Sequence, residues 1–165
     1  MSHLSVGTLL RTEIASHSAR GDRVAATVAA GELVATDDVV AVLRGPLAVS
    51  ATVGGWVLDG APRTAEQAAT LAEMIEGPAP SRAIVIALDV PEDELRARLL
   101  RRSRLEARTD DDPVVISHRL SVWAREGPPL LAWYERRRML ARVDGTGDVE
   151  MVASRAAAAV QQAIT

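Results

Sequence analysis

The segment 83–90 (Ala-Ile-Val-Ile-Ala-Leu-Asp-Val), apolar apart from Asp89, rich in β-branched residues and closed by Pro91, has the pattern of a strand buried on both faces. Residues 54–58 (Gly-Gly-Trp-Val-Leu) and 140–144 read as two further strands, and 3–6 as a short fourth. Between them the apolar positions take helical spacing. Leu9, Leu10 and Ile14 mark a helix at 9–15, and 22–30 is a second, stopped by Gly31 as its C-terminal cap. Thr36-Asp37-Asp38 offers an N-cap for a helix ending at Leu43. A helix at 64–75 is capped by Thr64, with Glu66 and Gln67 in its first turn. Beyond Pro91 come an Arg-rich helix at 92–104, a polar loop at 108–112, and helices at 114–126 and 130–137 split by Gly127-Pro128-Pro129. A turn at 145–147 leads to a closing amphipathic helix at 149–163. Strands alternating with helices predict a mostly parallel sheet covered on both faces, a three-layer α/β/α domain.

With 165 residues, the chain is large enough to bury one real core. Its net charge of -3 argues against a nucleic-acid partner. No cysteine is present, so neither a disulfide framework nor a thiolate metal site is available. No apolar run spans a bilayer and the start lacks a signal-peptide pattern, so a cytoplasmic protein without a membrane partner is expected. The tryptophans Trp56, Trp123 and Trp133 read as core packing, and His3, His17 and His118 are too scattered for a metal site.

The chemistry concentrates at Leu58-Asp59-Gly60-Ala61-Pro62-Arg63, where a strand delivers polar groups to the carboxyl edge of the sheet, the ligand-binding edge of doubly wound folds. An Asp there can organise a hydrated Mg²⁺, and an Arg can grip a phosphate with its two-pronged donor fork. All 19 basic side chains are arginine, and no Gly-x-x-x-x-Gly-Lys-Ser/Thr phosphate loop occurs. Arg98 and Arg102 project from one helix face, Arg108 and Arg119 flank an acidic loop, and Arg11 and Arg63 begin other helical segments. Guanidinium groups so placed suit a polyphosphate, whose charge in phosphoryl transfer spreads over several oxygens.

From His3 almost to the C-terminus the chain resembles the adenylate kinase family of nucleoside-monophosphate kinases, in the short-lid form. The resemblance is carried by 3–11 (His-Leu-Ser-Val-Gly-Thr-Leu-Leu-Arg), Gly31-Glu32-Leu33-Val34, Asp59-Gly60-Ala61-Pro62-Arg63 with Gln67, and Asp89-Val90-Pro91. It continues through Arg98-Leu99-Leu100-Arg101-Arg102, Ala107-Arg108-Thr109-Asp110-Asp111, His118-Arg119-Leu120 and Val143-Asp144-Gly145-Thr146-Gly147. It implies a P-loop NTPase-like fold and transfer of a phosphoryl group from ATP to AMP with Mg²⁺. Arg11 and Arg63 would hold the AMP phosphate, Gln67 the adenine edge, and Gly31, Glu32, Leu33, Val34 and Gly60 would line the acceptor site. Arg102, Arg108 and Arg119 would clamp the transferring group. Arg98, Arg102 and Gly145 would meet ATP, and Asp59 would position Mg²⁺ through water. Asp110 and Asp111 match the lid-hinge acids. The AMP-binding region would span about 5–70 and the lid about 102–112.

Departures from the family pattern carry their own expectations. The family's first strand, its glycine-rich phosphate loop with the catalytic lysine, and the next helix precede the counterpart of His3, whereas this sequence opens at Met1. A fold truncated at the N-terminus follows, with phosphotransfer impaired or lost. The alternative is a non-catalytic nucleotide- or partner-binding module. Val6 stands for a threonine, Thr8 for an acid, Ala61 for an aromatic and Ala107 for a glycine. The family's first strand lies between the counterparts of 54–58 and 83–90. These two are then expected to pair directly, to borrow a strand from a second copy in place of the family's monomer, or to stay partly molten. The family layout would set Val57 and Val85 on neighbouring strands, with Asp59 beside Asp89.

Overall fold

Two pairs of parallel strands form the framework. The computed structural model describes residues 1–52, 54–75, 83–106 and 112–164. In chain order these form β1 (Ser2–Ser5), α1 (Val6–Ala15), α2 (Ala19–Ala29), α3 (Thr36–Thr52), β2 (Trp56–Asp59), α4 (Ala65–Ile75), β3 (Val85–Asp89), α5 (Glu92–Glu106), α6 (Pro113–Glu135), β4 (Leu140–Asp144) and α7 (Val149–Ile164). β1 pairs β2 from Ser2 opposite Trp56 to Ser5 opposite Asp59. β3 pairs β4 from Val85 opposite Leu140 to Asp89 opposite Asp144.

The helix starts follow local chemistry. Ser5 and Ser18 accept from the backbone amides of Thr8 and Gly21 to cap α1 and α2. Thr64 accepts from the Gln67 amide at the start of α4, as the sequence predicts. Asp112 caps α6 through Val114 N at 2.8 Å, and Asp148 caps α7 through Met151 N at 2.8 Å.

Two predicted helix ends are corrected. α3 does not stop at Leu43 but runs through Gly45 and Pro46 to Thr52. Leu43, Leu47 and Ser50 form a buried stripe at helical spacing, and that stripe sustains the helix past its breakers. Likewise the predicted break at Gly127-Pro128-Pro129 is absent, and α6 is one 23-residue helix. A proline inside a helix costs about 3 kcal/mol. Burying a large apolar side chain returns ~1.5–3 kcal/mol, and Val122, Leu130, Trp133 and Tyr134 are all buried around the prolines. Packing outweighs propensity here.

One core lies over β1 and β2, built from Leu4, Val6, Leu10, Val24, Val39, Val42, Leu43, Leu47 and Leu71. A second joins Ala68, Leu130, Trp133 and Tyr134, with Val85, Met139 and Leu140 packed against it. The contact of α4 with α6 therefore ties the β1–β2 half to the β3–β4 half.

The fold is a helix-rich α/β arrangement with short parallel strands, consistent with the P-loop NTPase-like class. The expected single sheet, however, is divided among the described residues: β2 and β3 share no ladder, so their direct pairing does not form. Val57 on β2 is 53% exposed and Leu88 on β3 is 52% exposed, high values for interior strands. No described helix is long and apolar enough to cross a membrane.

Candidate active site

The sharpest convergence of predicted residues lies where the loop after β2 meets one face of α6. Arg63 leaves that loop, Arg119 leaves α6, and Gly31 and Leu33 come from the segment after α2. Val122, Trp123 and Glu126 complete the cleft. Arg119, Val122, Trp123 and Glu126 fall at i, i+3, i+4 and i+7, so a single helix face supplies them all.

Arg63 is exposed at the mouth of the cleft, yet the protein around it is dense enough that partial desolvation lowers its pKa below the usual arginine value. The positive charge of Arg119 lowers it further. Both effects disfavour the cation, but an arginine starts so high that it stays charged at neutral pH. Among the described residues no carboxylate pairs with Arg63. Its backbone amide is fixed by Gln67, which accepts at Oε1 over 2.8 Å and donates from Nε2 to the Val34 carbonyl over 3.0 Å. Gln67 is 3% exposed. The residue assigned to the adenine edge thus links the 31–34 loop to Arg63, with both amide atoms engaged inside the protein.

Gly31 has φ +72°, and a Cβ there would stand 2.8 Å from Val115 Cγ1 and 3.1 Å from Arg119 Nε. Only glycine allows this approach of loop to helix. Glu32 reaches His118 on α6, with Oε1 2.9 Å from Nε2. Gly60, at φ +81°, brings the end of β2 against the start of α1, where a Cβ would lie 3.6 Å from Gly7 N. Arg11 folds back along α1, its Nη2 donating to Thr8 Oγ1 at 3.3 Å.

A second cluster lies at the carboxyl ends of β3 and β4. Arg98 on α5 donates to the Gly145 carbonyl at 2.9 Å and the Gly147 carbonyl at 3.1 Å, and pairs with Glu94. An open cleft of about 310 Å³ beside this turn is lined by Glu94, Ala97, Arg98, Arg101 and Gly147. Arg102 stands one turn beyond Arg98 on α5, half-buried. The turn is held from its other side by Arg155, which donates to the carbonyls of Asp144 and Thr146 at 3.0 and 2.7 Å. Asp144 accepts from the Thr146 amide and hydroxyl, and these bonds depress its pKa.

Asp59 ends β2 with an exposed carboxylate that has no side-chain partner among the described residues. No group of three or more His, Asp or Glu there has the arrangement of a metal cage. Arg108, Asp110 and Asp111 of the expected lid lie outside the described residues. Sequence reasoning gave no role to Arg101 or Arg155, which here line the cleft and brace the turn. It also placed Trp123 in the core, whereas Trp123 is 48% exposed and lines the Arg63 cleft.

Comparison with known proteins supplies the family. The sequence model described as "Adenylate kinase" matches residues 1–139. The chain is 40% identical over 158 residues to the adenylate kinase of Synechococcus sp. (strain RCC307), covering 96% of this chain and 84% of that protein. It is 36% identical over 153 residues to the adenylate kinase of Xanthomonas euvesicatoria pv. vesicatoria (strain 85-10), covering 93% and 82%. With the adenylate kinase of Caulobacter vibrioides (strain NA1000 / CB15N) it shares 38% identity over 154 residues, covering 93% and 81%. By the breadth of these matches, the chain belongs to the adenylate kinase family.

Proposed function

We propose that the cleft of Arg63 and Arg119 receives the phosphate of AMP, and that the chain serves adenylate kinase-type phosphoryl transfer, ATP plus AMP to two ADP. One observation supports this most: Arg63 and Arg119 line one cleft with Gly31 and Leu33, and partial burial and the Arg119 charge both disfavour the Arg63 cation. A bound dianion offsets both penalties at once, and the planar guanidinium matches its oxygens in pairs. Arg11 joins the acceptor side, where the backbone of Gly31, Glu32, Leu33 and Val34 lines the base position. Gln67 sets the spacing between that loop and Arg63. On the donor side, Arg98 and the 145–147 turn frame the open cleft, and clamping of the transferring group is the role proposed for Arg102 and Arg108.

A Mg²⁺ held chiefly by substrate phosphates and water needs only one or two carboxylates, and Asp59, exposed at a strand's carboxyl end, fits that role. Such an ion neutralises charge on the phosphate oxygens. A cytoplasmic setting is part of this family-based reading; no described helix is long and apolar enough to cross a membrane.

These 165 residues contain no lysine and no phosphate-loop motif. Removing even one preorganised donor costs ~10²–10³ in rate. This polypeptide by itself is therefore expected to show no turnover above a protein-free control in a coupled ADP assay. A second reading is a nucleotide-binding module without catalysis, for which the Arg63 cleft would suffice. In calorimetry AMP is expected to bind more tightly than ATP, and Arg11→Ala or Arg63→Ala to abolish AMP binding. Robust turnover lost in Arg63→Ala would refute the impairment. ATP as the tighter ligand, or an AMP isotherm unchanged in both variants, would refute the acceptor site.

A further inference from the structure

The 31–34 segment joins α2 to α3, yet it is anchored on elements from elsewhere in the chain. Gly31 backs onto Val115 and Arg119 of α6, and the Val34 carbonyl accepts from Gln67 of α4. Between these anchors the Glu32 side chain turns to α6, where its Oε1 lies 2.9 Å from His118 Nε2. Val115, His118, Arg119 and Val122 stand at i, i+3, i+4 and i+7, so one face of α6 meets the segment and also lines the Arg63 cleft.

His118 Nε2 is itself buried, and no aligned hydrogen bond reaches it among the described residues. The contact with Glu32 is therefore one of charge against a polar ring edge, and the carboxylate is what answers a nitrogen hidden from water. The rest of each side chain stays wet, His118 being 37% and Glu32 50% exposed. A pair so placed adds little to global stability. Its effect is local, on where the segment sits.

We propose that the Glu32–His118 pair is a clasp that sets the distance between the 31–34 segment and α6, and that both are positioning residues for the acceptor. This rests on the acceptor-site reading above. The backbone of the segment lines the base position, while Arg119, next to His118, serves the phosphate. The clasp fixes these two parts of the site relative to each other before the ligand arrives, which lowers the ordering cost of binding. Neither side chain needs to touch the acceptor.

Hydrogen exchange on the 165-residue chain without ligand reads the clasp itself. The Gly31 and Glu32 amides donate to the Val28 and Thr27 carbonyls, and they are expected to exchange faster in Glu32→Gln and in His118→Ala. Calorimetry with AMP reads the consequence. Each variant is expected to weaken AMP roughly 5- to 10-fold, as for residues in direct contact, and the double variant no more than either alone. Glu32→Lys should weaken AMP at least as much. Combining it with His118→Glu rebuilds the pair with its charges reversed, and should restore most of the AMP affinity and the slow exchange. Melting temperatures should stay close to the parent throughout. Losses that add in the double variant, or no recovery in the reversed pair, would leave only packing and overturn the clasp. So would unchanged exchange, or unchanged AMP affinity in both single variants while Arg63→Ala abolishes binding. If Arg63→Ala binds AMP as before, it is the acceptor-site reading that fails, and the exchange arm alone then decides the clasp.

Discussion

Arg63 is partly buried and sits in the field of Arg119, and the burial together with that charge disfavours its own cation. Arg63→Met is therefore expected to raise the melting temperature slightly while abolishing AMP binding, the usual opposition of stability and function. In the parent chain, added AMP should raise the melting temperature by mass action, and in Arg63→Met it should not. A stabilising effect of AMP in the variant would count against this site. Tyr134 makes a separate prediction. Burial pushes its phenol up to about 12 from an ordinary value of 10. The unfolded chain releases this proton near pH 10 while the folded chain still holds it. Stability is therefore intact below pH 10 and falls as pH rises toward 12, by an order of 1–2 kcal/mol. Urea melts at pH 8 and 11 should show that loss in the parent chain and a smaller one in Tyr134→Phe. Asp144 runs the other way. Its pKa is depressed, first by the Thr146 bonds, so its contribution is present above the ordinary carboxylate range and is lost as pH falls through the lowered value.

At the level of elements, close approach decides more than propensity. α2 crosses α1 so tightly that a Cβ on Gly21 would stand 2.1 Å from the Glu13 carbonyl oxygen. Gly21→Ala must separate the helices and is expected to cost about 2–3 kcal/mol in a denaturant melt. A neutral result would show that the crossing relaxes without loss. α6 shows why its own sequence misleads. The Gly-Pro-Pro triplet reads as a breaker because a proline lacks the amide and crowds the preceding turn. Yet its neighbours Leu130, Trp133 and Tyr134 bury themselves against α4 and β4, and that burial is invisible in a local window. The uninterrupted helix carries Arg119 and Trp123 on the same element as its core-anchored end. By contrast, the cap of α4 and the extent of β4 were legible locally, because a hydroxyl three residues from an amide needs no distant partner.

For the whole molecule the open question is the divided sheet. β2 and β3 each present an unpaired edge among the described residues, with Val57 and Leu88 half exposed. An unpaired amide buried from water costs ~1–3 kcal/mol, so these edges stay wet or recruit another strand. Hydrogen exchange on the 165-residue chain is expected to find 54–58 poorly protected beside α3. Full protection in a monomer, shown by sedimentation, would contradict that expectation. The sequence by itself determined the family, the four strands and most helix starts, because these depend on residue type at fixed short spacing. Only the tertiary structure decided that Arg63 meets Arg119, that Gln67 is engaged within the protein, that Arg155 braces the 145–147 turn, and that Trp123 faces solvent instead of the core. Each of these depends on which surfaces remain after distant segments have packed, a quantity that no local pattern encodes.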